Sequence, residues 1–122
     1  QLTWMDAKVD DWVVTPRQGK AVEINALWYN AVKLMSEWLS DPKLEREAAV
    51  IAASFRAKFW NAARNCLFDV LGDARIRPNQ IFAVSLPHSP LDEEQQRAVV
   101  ETCERELLTP VGLRSLERGD PE

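Results

Sequence analysis

The chain has 122 residues, of which 46% are hydrophobic and 28% are charged, a balance that suits one globular domain. The net charge is -4 and the basic residues are scattered among acids, so nucleic acid is not expected as a partner. No apolar run approaches the roughly 20 residues of a membrane span, and residues 1–11 lack the pattern of a signal peptide. We therefore expect a cytoplasmic protein that does not enter a membrane.

The first predicted helix follows a long irregular N-terminal segment. From Gly19 the apolar residues recur at intervals of three and four, the period of an α-helix, until Ser40–Pro42 ends it. The apolar stripe that we expect to face the core consists of Ile24, Leu27, Ala31, Met35 and Trp38.

The second predicted helix begins at about Lys43. Its apolar stripe is formed by Leu44, Ala48, Ile51, Phe55 and Phe59. We place its end at about Arg64. Residues 66–73 suit either a continued helix or a short extended segment with a turn at Gly72–Asp73, and we favour the extended structure.

Two more helices are predicted in the C-terminal half. A short one begins at Pro78, where a proline costs no hydrogen bond, and ends before Pro87. The last lies within residues 89–108, with acids in its first turn, and is followed by a polar tail at residues 117–122. Cys66 and Cys103 lack metal-ligand spacing, so we expect two buried reduced thiols.

The lengths of the connections predict a molecule with two different ends. The connections around Asp41 and His88 are short, whereas residues 1–17, 66–77 and 109–122 are long. Because helices alternate in direction in a hairpin array, the long segments should meet at one end. Helices beginning near Lys20 and Pro78 would present their N-termini there, which suits polar or anionic ligands.

The carboxylates near the N-terminal aromatic residues are candidates for glycoside hydrolysis. That reaction needs one protonated carboxyl group for the leaving oxygen and a second to activate water or attack, and an apolar wall favours the protonated form. Asp6 lies between Met5 and Ala7, next to Trp4, and fits the first task. The alternative is that Asp6 only caps a loop. Further acids nearby are Asp10, Asp11 and Glu23.

Aromatic side chains in the same region are candidates for stacking on sugar rings. Trp4, Trp12 and Trp28 are assigned to substrate binding, with core filling as the alternative. Trp38 and Trp60 lie within helical stripes and are assigned to the core.

Polar side chains that could bind sugar hydroxyl groups lie in the two long segments and at the start of the first helix. They are Arg17, Glu23, Arg77, Asn79 and Gln80. The alternative is that they tie the loops together or complement the helix end. His88 is the only histidine, and no nucleotide-binding or nucleophile motif occurs, so neither a metal nor another cofactor is expected.

Several segments of the sequence resemble those of one enzyme family. They are TWMDAKV, DWVVTPRQGKAVEINALWYNA, FW, RPNQIFAVSLP and CERELLTPVGLRSL, and together they cover nearly all of the chain. In these segments the chain resembles the C-terminal glucosidase domain of glycogen debranching enzymes, the amylo-α-1,6-glucosidase family.

The resemblance implies an all-α fold, with residues 1–122 forming part of an (α/α)6 toroid. Inner helices from Lys20 and Pro78 would alternate with outer helices from Lys43 and Leu91, with the long loops on one rim. It also implies inverting hydrolysis of α-1,6-linked glucose at the branch points of an α-glucan, with Asp6 as the general acid.

The resemblance places the catalytic base on a glutamate farther toward the C-terminus, which we expect beyond these 122 residues. The isolated chain should then be inactive, require the rest of the catalytic domain and self-associate. One departure is Asp10, where the family pattern predicts glycine. Two alternatives stay open, a related toroidal enzyme acting on another α-glucoside and a helical interaction module without activity.

Overall fold

The computed structural model describes residues 3–121, so the outermost residues of the predicted N-terminal segment and polar tail, Gln1, Leu2 and Glu122, lie outside the described residues. The helices of this part are α1 (Val22–Leu39), α2 (Pro42–Phe59), α3 (Phe82–Ser85) and α4 (Glu93–Leu107), with a 3-10 turn at Pro78–Ile81 before α3. The strands form three antiparallel pairs, β1 (Lys8–Val9) with β2 (Trp12–Val13), β3 (Trp60–Asn61) with β4 (Cys66–Leu67), and β5 (Leu108–Thr109) with β6 (Gly112–Leu113). The fold is therefore mostly helical, and the prediction of an all-α fold missed three small hairpins within the long segments.

The start of α1 is set by contacts with the segment that follows β4. Ala21 forms an isolated bridge with Val70, and the Val22 N–H donates to the Asp69 carbonyl at 3.0 Å. These contacts hold Ala21 in an extended conformation, so the helix begins two residues later than predicted. Gly19 turns the chain just before this point with φ of +103°, a conformation that favours glycine.

The end of α2 lies at Phe59, five residues before the predicted position near Arg64. The Phe59 carbonyl accepts from the Phe68 N–H at 2.9 Å, and Trp60 starts the hairpin with β4. Pairing across the hairpin outweighs the helix propensity of the alanines at positions 62 and 63. The favoured extended structure for residues 66–73 is confirmed by β4 and by the bridge between Val70 and Asp73.

The core lies between the helices and β4. It contains Val22, Ala26, Phe55, Phe59, Cys66, Leu67, Ile76, Ala83, Leu91, Val99, Cys103 and Leu107. Phe55 and Phe59 stack with their ring centroids 4.8 Å apart. Both cysteines are buried free thiols, as predicted, and burial raises the pKa of Cys103 to about 12.

The predicted core face of α1 is wrong. Its stripe residues Ile24, Leu27, Met35 and Trp38 are exposed, with 72% of Trp38 accessible. The buried residues of α1 are instead Val22, Glu23, Ala26, Asn30, Val32 and Ser36. The polar members of this face are stabilised by specific partners, as when Asn30 Oδ1 accepts from the His88 N–H at 3.1 Å.

Trp60 lies half-buried against the core, so its assignment to the core holds where that of Trp38 fails. The stripe predicted for α2 is also confirmed in outline, since Ala48, Phe55 and Phe59 are buried.

Hydrogen bonds show that the two ends of the molecule differ as expected. At one end, called the rim here, the long segments contact each other through Arg17 and Asp69, Trp4 and Asn79, and Arg64 and Glu117. At the other end, called the base here, the short connections around Asp41 and His88 lie close together, and His88 Nε2 is 3.2 Å from Glu37 Oε2 near the end of α1.

The C-terminal segment is tied to the rim although its sequence shows no core pattern. Glu117 Oε1 accepts from Arg64 Nη1 at 2.8 Å and from the Ile76 N–H at 2.9 Å. The Glu117 N–H in turn donates to the Ile76 carbonyl at 3.1 Å. One carboxylate thus joins three parts of the chain.

Candidate functional site

A buried ionic cluster made of Arg17, Glu23 and Asp69 lies at the centre of the rim. Arg17 Nη1 and Nη2 donate to the two carboxylate oxygens of Glu23 at 2.6 and 2.7 Å. Arg17 Nε and Nη2 donate to the Asp69 carboxylate at 2.6 and 3.1 Å. Each of the three residues is 2% exposed, so the guanidinium group is enclosed between two carboxylates.

Local structure explains how these three side chains meet. Arg17 lies two positions before Gly19, whose positive φ redirects the chain into the start of α1, and Glu23 lies in the first turn of that helix. Asp69 precedes Val70, whose bridge to Ala21 holds the two segments side by side.

The charges of the cluster stabilise one another. Burial opposes the charge on Arg17, but hydrogen bonds to Glu23 and Asp69 outweigh it and raise the pKa of the guanidinium group. Burial raises the pKa of Asp69, and hydrogen bonds from Asn79 and Arg17 limit that rise. A second guanidinium group lies nearby, with Arg77 Nε 3.7 Å from Asp69 Oδ2. Two carboxylates thus face two cations.

Asn79 connects this cluster to the N-terminal segment. Asn79 Nδ2 donates to Asp69 Oδ1 at 2.8 Å, and Asn79 Oδ1 accepts from Trp4 Nε1 at 3.1 Å. Asn79 Nδ2 also lies 3.3 Å from Met5 Sδ. The residue is 1% exposed, immediately after the proline that begins the 3-10 turn.

Asp6 is exposed on a segment that is anchored on both sides. Before it, Trp4 and Met5 contact Asn79; after it, the Ala7 carbonyl accepts from the Val14 N–H at 3.1 Å. Within residues 3–121 no hydrogen-bond partner is found for the Asp6 carboxylate, so the loop-capping alternative has no support there.

The remaining polar residues predicted to bind substrate, Arg77 and Gln80, are also buried. Gln80 Oε1 accepts from the Leu67 N–H at 3.1 Å, and Gln80 Nε2 donates to the Arg77 carbonyl at 3.3 Å. Arg77 Nη1 donates to the Ser115 carbonyl at 3.3 Å. The structure therefore brings Arg17, Glu23, Arg77, Asn79 and Gln80 together, but their polar atoms bond to other groups of the chain. Substrate contact by these five residues stays a prediction.

The three tryptophans assigned to sugar stacking are exposed, with 64% of Trp4, 63% of Trp12 and 56% of Trp28 accessible. Trp12 lines a groove with Pro16 and Arg77 at the rim. Trp28 lies in a different groove, between α1 and α2. None of the three fills the core, so the core-filling alternative is wrong for the described chain.

Asp69 is the residue of the rim that sequence reasoning missed. It follows Leu67 and Phe68 and precedes Val70 and Leu71. An acid within such an apolar run signals a buried carboxylate that needs a partner. The sequence does not show that this partner is Arg17, which is 52 positions away.

Two kinds of feature are absent from the part of the chain that the structure describes. No group of three or more histidine, cysteine or acidic side chains is placed to hold a metal ion in residues 3–121. The helices in that same range include none that is long and apolar enough to cross a membrane.

Glycoside hydrolases act through carboxyl groups, and here the exposed carboxylate of Asp6 lies two positions from the exposed indole of Trp4. Comparison with known proteins supports this class. The model of the family described as amylo-alpha-1,6-glucosidase matches residues 1–122, so the chain belongs to this family. This match confirms the resemblance seen in its sequence segments. No curated protein and no solved structure matches the chain.

Proposed function

We propose that this chain is part of a glycogen debranching enzyme that hydrolyses α-1,6-linked glucose at branch points with inversion, and that Asp6 is the general acid. Family membership supports the substrate class. The structural observation that carries the assignment is the placement of Asp6, whose carboxylate is exposed while the residues on both sides are anchored. A general acid must be accessible to the substrate and fixed in position, and the exposure of Asp6 and the anchoring of its neighbours support this role.

The second carboxylate of the reaction is proposed to lie outside this chain. An inverting site separates its two carboxyl groups by roughly 6.5 to 9.5 Å, with a water molecule beside the carboxylate that acts as the catalytic base. Glu23 and Asp69 are the buried carboxylates of the rim, and both are engaged with Arg17, which leaves neither free to activate water. We therefore propose a glutamate farther toward the C-terminus, as the family resemblance implies.

The rest of the rim is proposed to bind and hold the branched α-glucan. Trp4, Trp12 and Trp28 present exposed rings that suit the C–H faces of sugars. The five buried polar residues are proposed to hold this surface, and direct contacts with sugar hydroxyl groups require a rearrangement in the intact enzyme. No cofactor takes part in the proposed reaction, and a cytoplasmic location stays part of the proposal.

The exposed stripe of α1 supports the proposed toroid. Ile24, Leu27, Met35 and Trp38 leave apolar surface uncovered on one side of the helix. We propose that neighbouring helices of an (α/α)6 toroid cover it in the intact enzyme. The 122 residues alone should then self-associate and release no glucose, as measured by size-exclusion chromatography with light scattering and by a glucose assay.

The function is tested with Asp6→Asn in the intact enzyme. The amide keeps the shape of the side chain but carries no transferable proton, so glucose release from a branched limit dextrin should fall by about 10² to 10⁴ while dextrin binding is retained. NMR of the first product should show the β-anomer. Near-normal turnover by the variant would remove Asp6 from this role.

The same assay separates the alternatives. Turnover of another α-glucoside in place of limit dextrin would favour a related toroidal glycosidase. Oligosaccharide or protein binding without any turnover would favour an interaction module.

A further inference from the structure

We infer that Asn79 is a positioning residue for Asp6, held in the required orientation by Asp69. This inference rests on the proposed function, because it gives Asp6 the role of general acid. Asn79 joins the two side chains that precede Asp6 to the buried cluster, through Trp4 Nε1 at 3.1 Å and Met5 Sδ at 3.3 Å.

The orientation of the Asn79 amide follows from its neighbours. The indole N–H of Trp4 can only donate, so the amide oxygen must face it. The ionised carboxylate of Asp69 can only accept, so the amide nitrogen must face the opposite side. Asp69 is itself held by Arg17 at 2.6 Å, and a relay of defined hydrogen bonds therefore runs from α1 to the Asp6 segment.

The relay controls one of the two anchors of Asp6. The other anchor is the backbone hydrogen bond between Ala7 and Val14, which belongs to the β1–β2 hairpin and is independent of Asn79. Loss of the Asn79 amide should leave the hairpin intact but release Trp4 and Met5. Asp6 would then keep its chemistry and lose its position, and a shift of about 1 Å at a catalytic group costs roughly 10² in rate.

The test compares two substrates of the intact enzyme in the Asn79→Leu variant. One is an α-1,6-branched dextrin, whose leaving oxygen needs a proton from the general acid. The other is α-glucosyl fluoride, in which water attacks the anomeric carbon and gives a proton to the catalytic base, while the C–F bond breaks and fluoride leaves as an anion with little need for a proton from the general acid. The ratio of the two kcat/KM values does not depend on the fraction of folded protein. We expect Asn79→Leu to lower the dextrin-to-fluoride ratio by about 10-fold or more.

Two control variants make the outcome specific. Asn30→Leu removes a buried amide of the same kind at the base, where it accepts from the His88 N–H, and should lower stability without changing the ratio. Asp6→Asn should lower the ratio by about 10² to 10⁴. If Asp6→Asn leaves the ratio unchanged, the proposed function fails. If Asp6→Asn lowers it and Asn79→Leu does not, only the positioning role is overturned.

A near-isosteric pair of variants tests the part played by Asp69 and replaces Asn79→Leu should that variant not fold. Asn79→Asp keeps an acceptor for Trp4 but sets a second carboxylate against Asp69, so the ratio should fall. Adding Asp69→Asn removes the facing charge and returns a donor to the pair, so part of the ratio should be recovered. A ratio that falls no further than in Asn30→Leu, or one that does not recover in the double variant, would overturn the relay.

Discussion

The rim and the base of this helical domain are held together by different kinds of polar contact. At the rim, Arg17 is enclosed between Glu23 and Asp69 with almost no exposure to water. At the base, the ion pairs are open to solvent, as between Lys33 and Glu45 at 2.9 Å, where 56% of the Glu45 side chain is accessible. Ion pairs between basic and acidic side chains thus occur in both a buried and an exposed environment within one small chain.

The structure depends more strongly on single residues in the Arg17 cluster than at the exposed ion pair of the base. A buried charge that loses its partner has neither water nor a counter-ion, whereas an exposed charge is rehydrated at once. The contacts within the Arg17 cluster are therefore mutually dependent, and the exposed ion pair at the base is replaceable. Since the exposed carboxylate of Asp6 is anchored through the rim, this dependence extends to the proposed catalytic group.

The strongest test of this contrast is Arg17→Met. The substitution leaves Glu23 and Asp69 buried without their shared cation, so we expect the free energy of unfolding to fall by about 3 to 5 kcal/mol. Chemical denaturation followed by tryptophan fluorescence measures the change.

Lys33→Met is the matched variant at the base, where Lys33 donates to Glu45 near the surface. Its effect should be a small fraction of that at the rim, because water replaces the lost partner. Equal losses in the two variants would remove the contrast between the two ends.

The next largest effect concerns two tryptophans, one at each end. Trp60 packs against the core at the rim, so Trp60→Ala should lower the free energy of unfolding by about 3 kcal/mol. Trp38 is exposed near the end of α1 at the base, so in the isolated 122-residue chain Trp38→Ala should change it by about 0.5 kcal/mol or less. Thermal or chemical unfolding of the two variants checks the order, and the reverse order would restore the sequence-based assignment of Trp38 to the core.

Helices and connections were largely predictable because they depend on local signals. Proline and capping residues mark the boundaries, as in α2, where Asp41 Oδ1 accepts from the Lys43 N–H at 2.8 Å. In α4 the side chains of Asp92 and Gln95 form a capping box. The local pattern predicts the end of α2 too late because the hydrogen bond that stops the helix comes from Phe68, beyond the range of that pattern.

Periodicity predicts the wrong buried face for α1 because it identifies an apolar stripe without identifying what covers that stripe. The helix buries Glu23, Asn30 and Ser36, whose partners lie in other segments and cannot be read from α1 itself. The same limit explains the site. The sequence drew attention to Arg17 and Asn79, but their meeting through Asp69 depends on pairing across the fold.

Lowering the pH should reduce the free energy of unfolding through Glu117 at the rim, by less than the Arg17→Met or Trp60→Ala substitution. The hydrogen bond from Arg64 lowers the pKa of Glu117 below its ordinary value of 4.5, burial opposes this, and the Ile76 N–H adds to the lowering. A lowered folded-state pKa contributes stability above the unfolded-state pKa, and that stability is lost as pH falls through the folded-state pKa. Glu117→Gln should cost about 1 kcal/mol at neutral pH.

The difference in free energy of unfolding between the Glu117→Gln variant and the unmodified chain should become smaller as pH falls below 4.5. Arg64→Gln should show the same narrowing, since it removes the other half of the pair. Urea unfolding at a series of pH values measures both. A difference that stays constant in acid would show that the charge on Glu117 does not stabilise the rim.

The smallest predicted effect compares two non-glycine residues with left-handed backbone, one at each end. Asp10 has φ of 54° in the β1–β2 turn at the rim, and Ser40 has φ of 50° at the end of α1 at the base. A side chain in this region costs free energy, but aspartate tolerates it better than serine. Ser40→Gly should therefore raise the free energy of unfolding by about 1 kcal/mol and Asp10→Gly by about 0.5 kcal/mol, since glycine adds its own entropic cost.

Asp11→Gly is the internal control for the β1–β2 turn, because Asp11 is not among the positive-φ positions of residues 3–121. It should lower the free energy of unfolding by about 0.5 kcal/mol, since glycine gains freedom in the unfolded chain without relieving strain. Opposite signs for Asp10→Gly and Asp11→Gly, measured by chemical denaturation, would show that position 10 keeps the backbone that suits the glycine of the family pattern. The same sign for both would mean that Asp10 has its own stabilising role in the turn, and that the departure at this position changes the hairpin that follows Asp6.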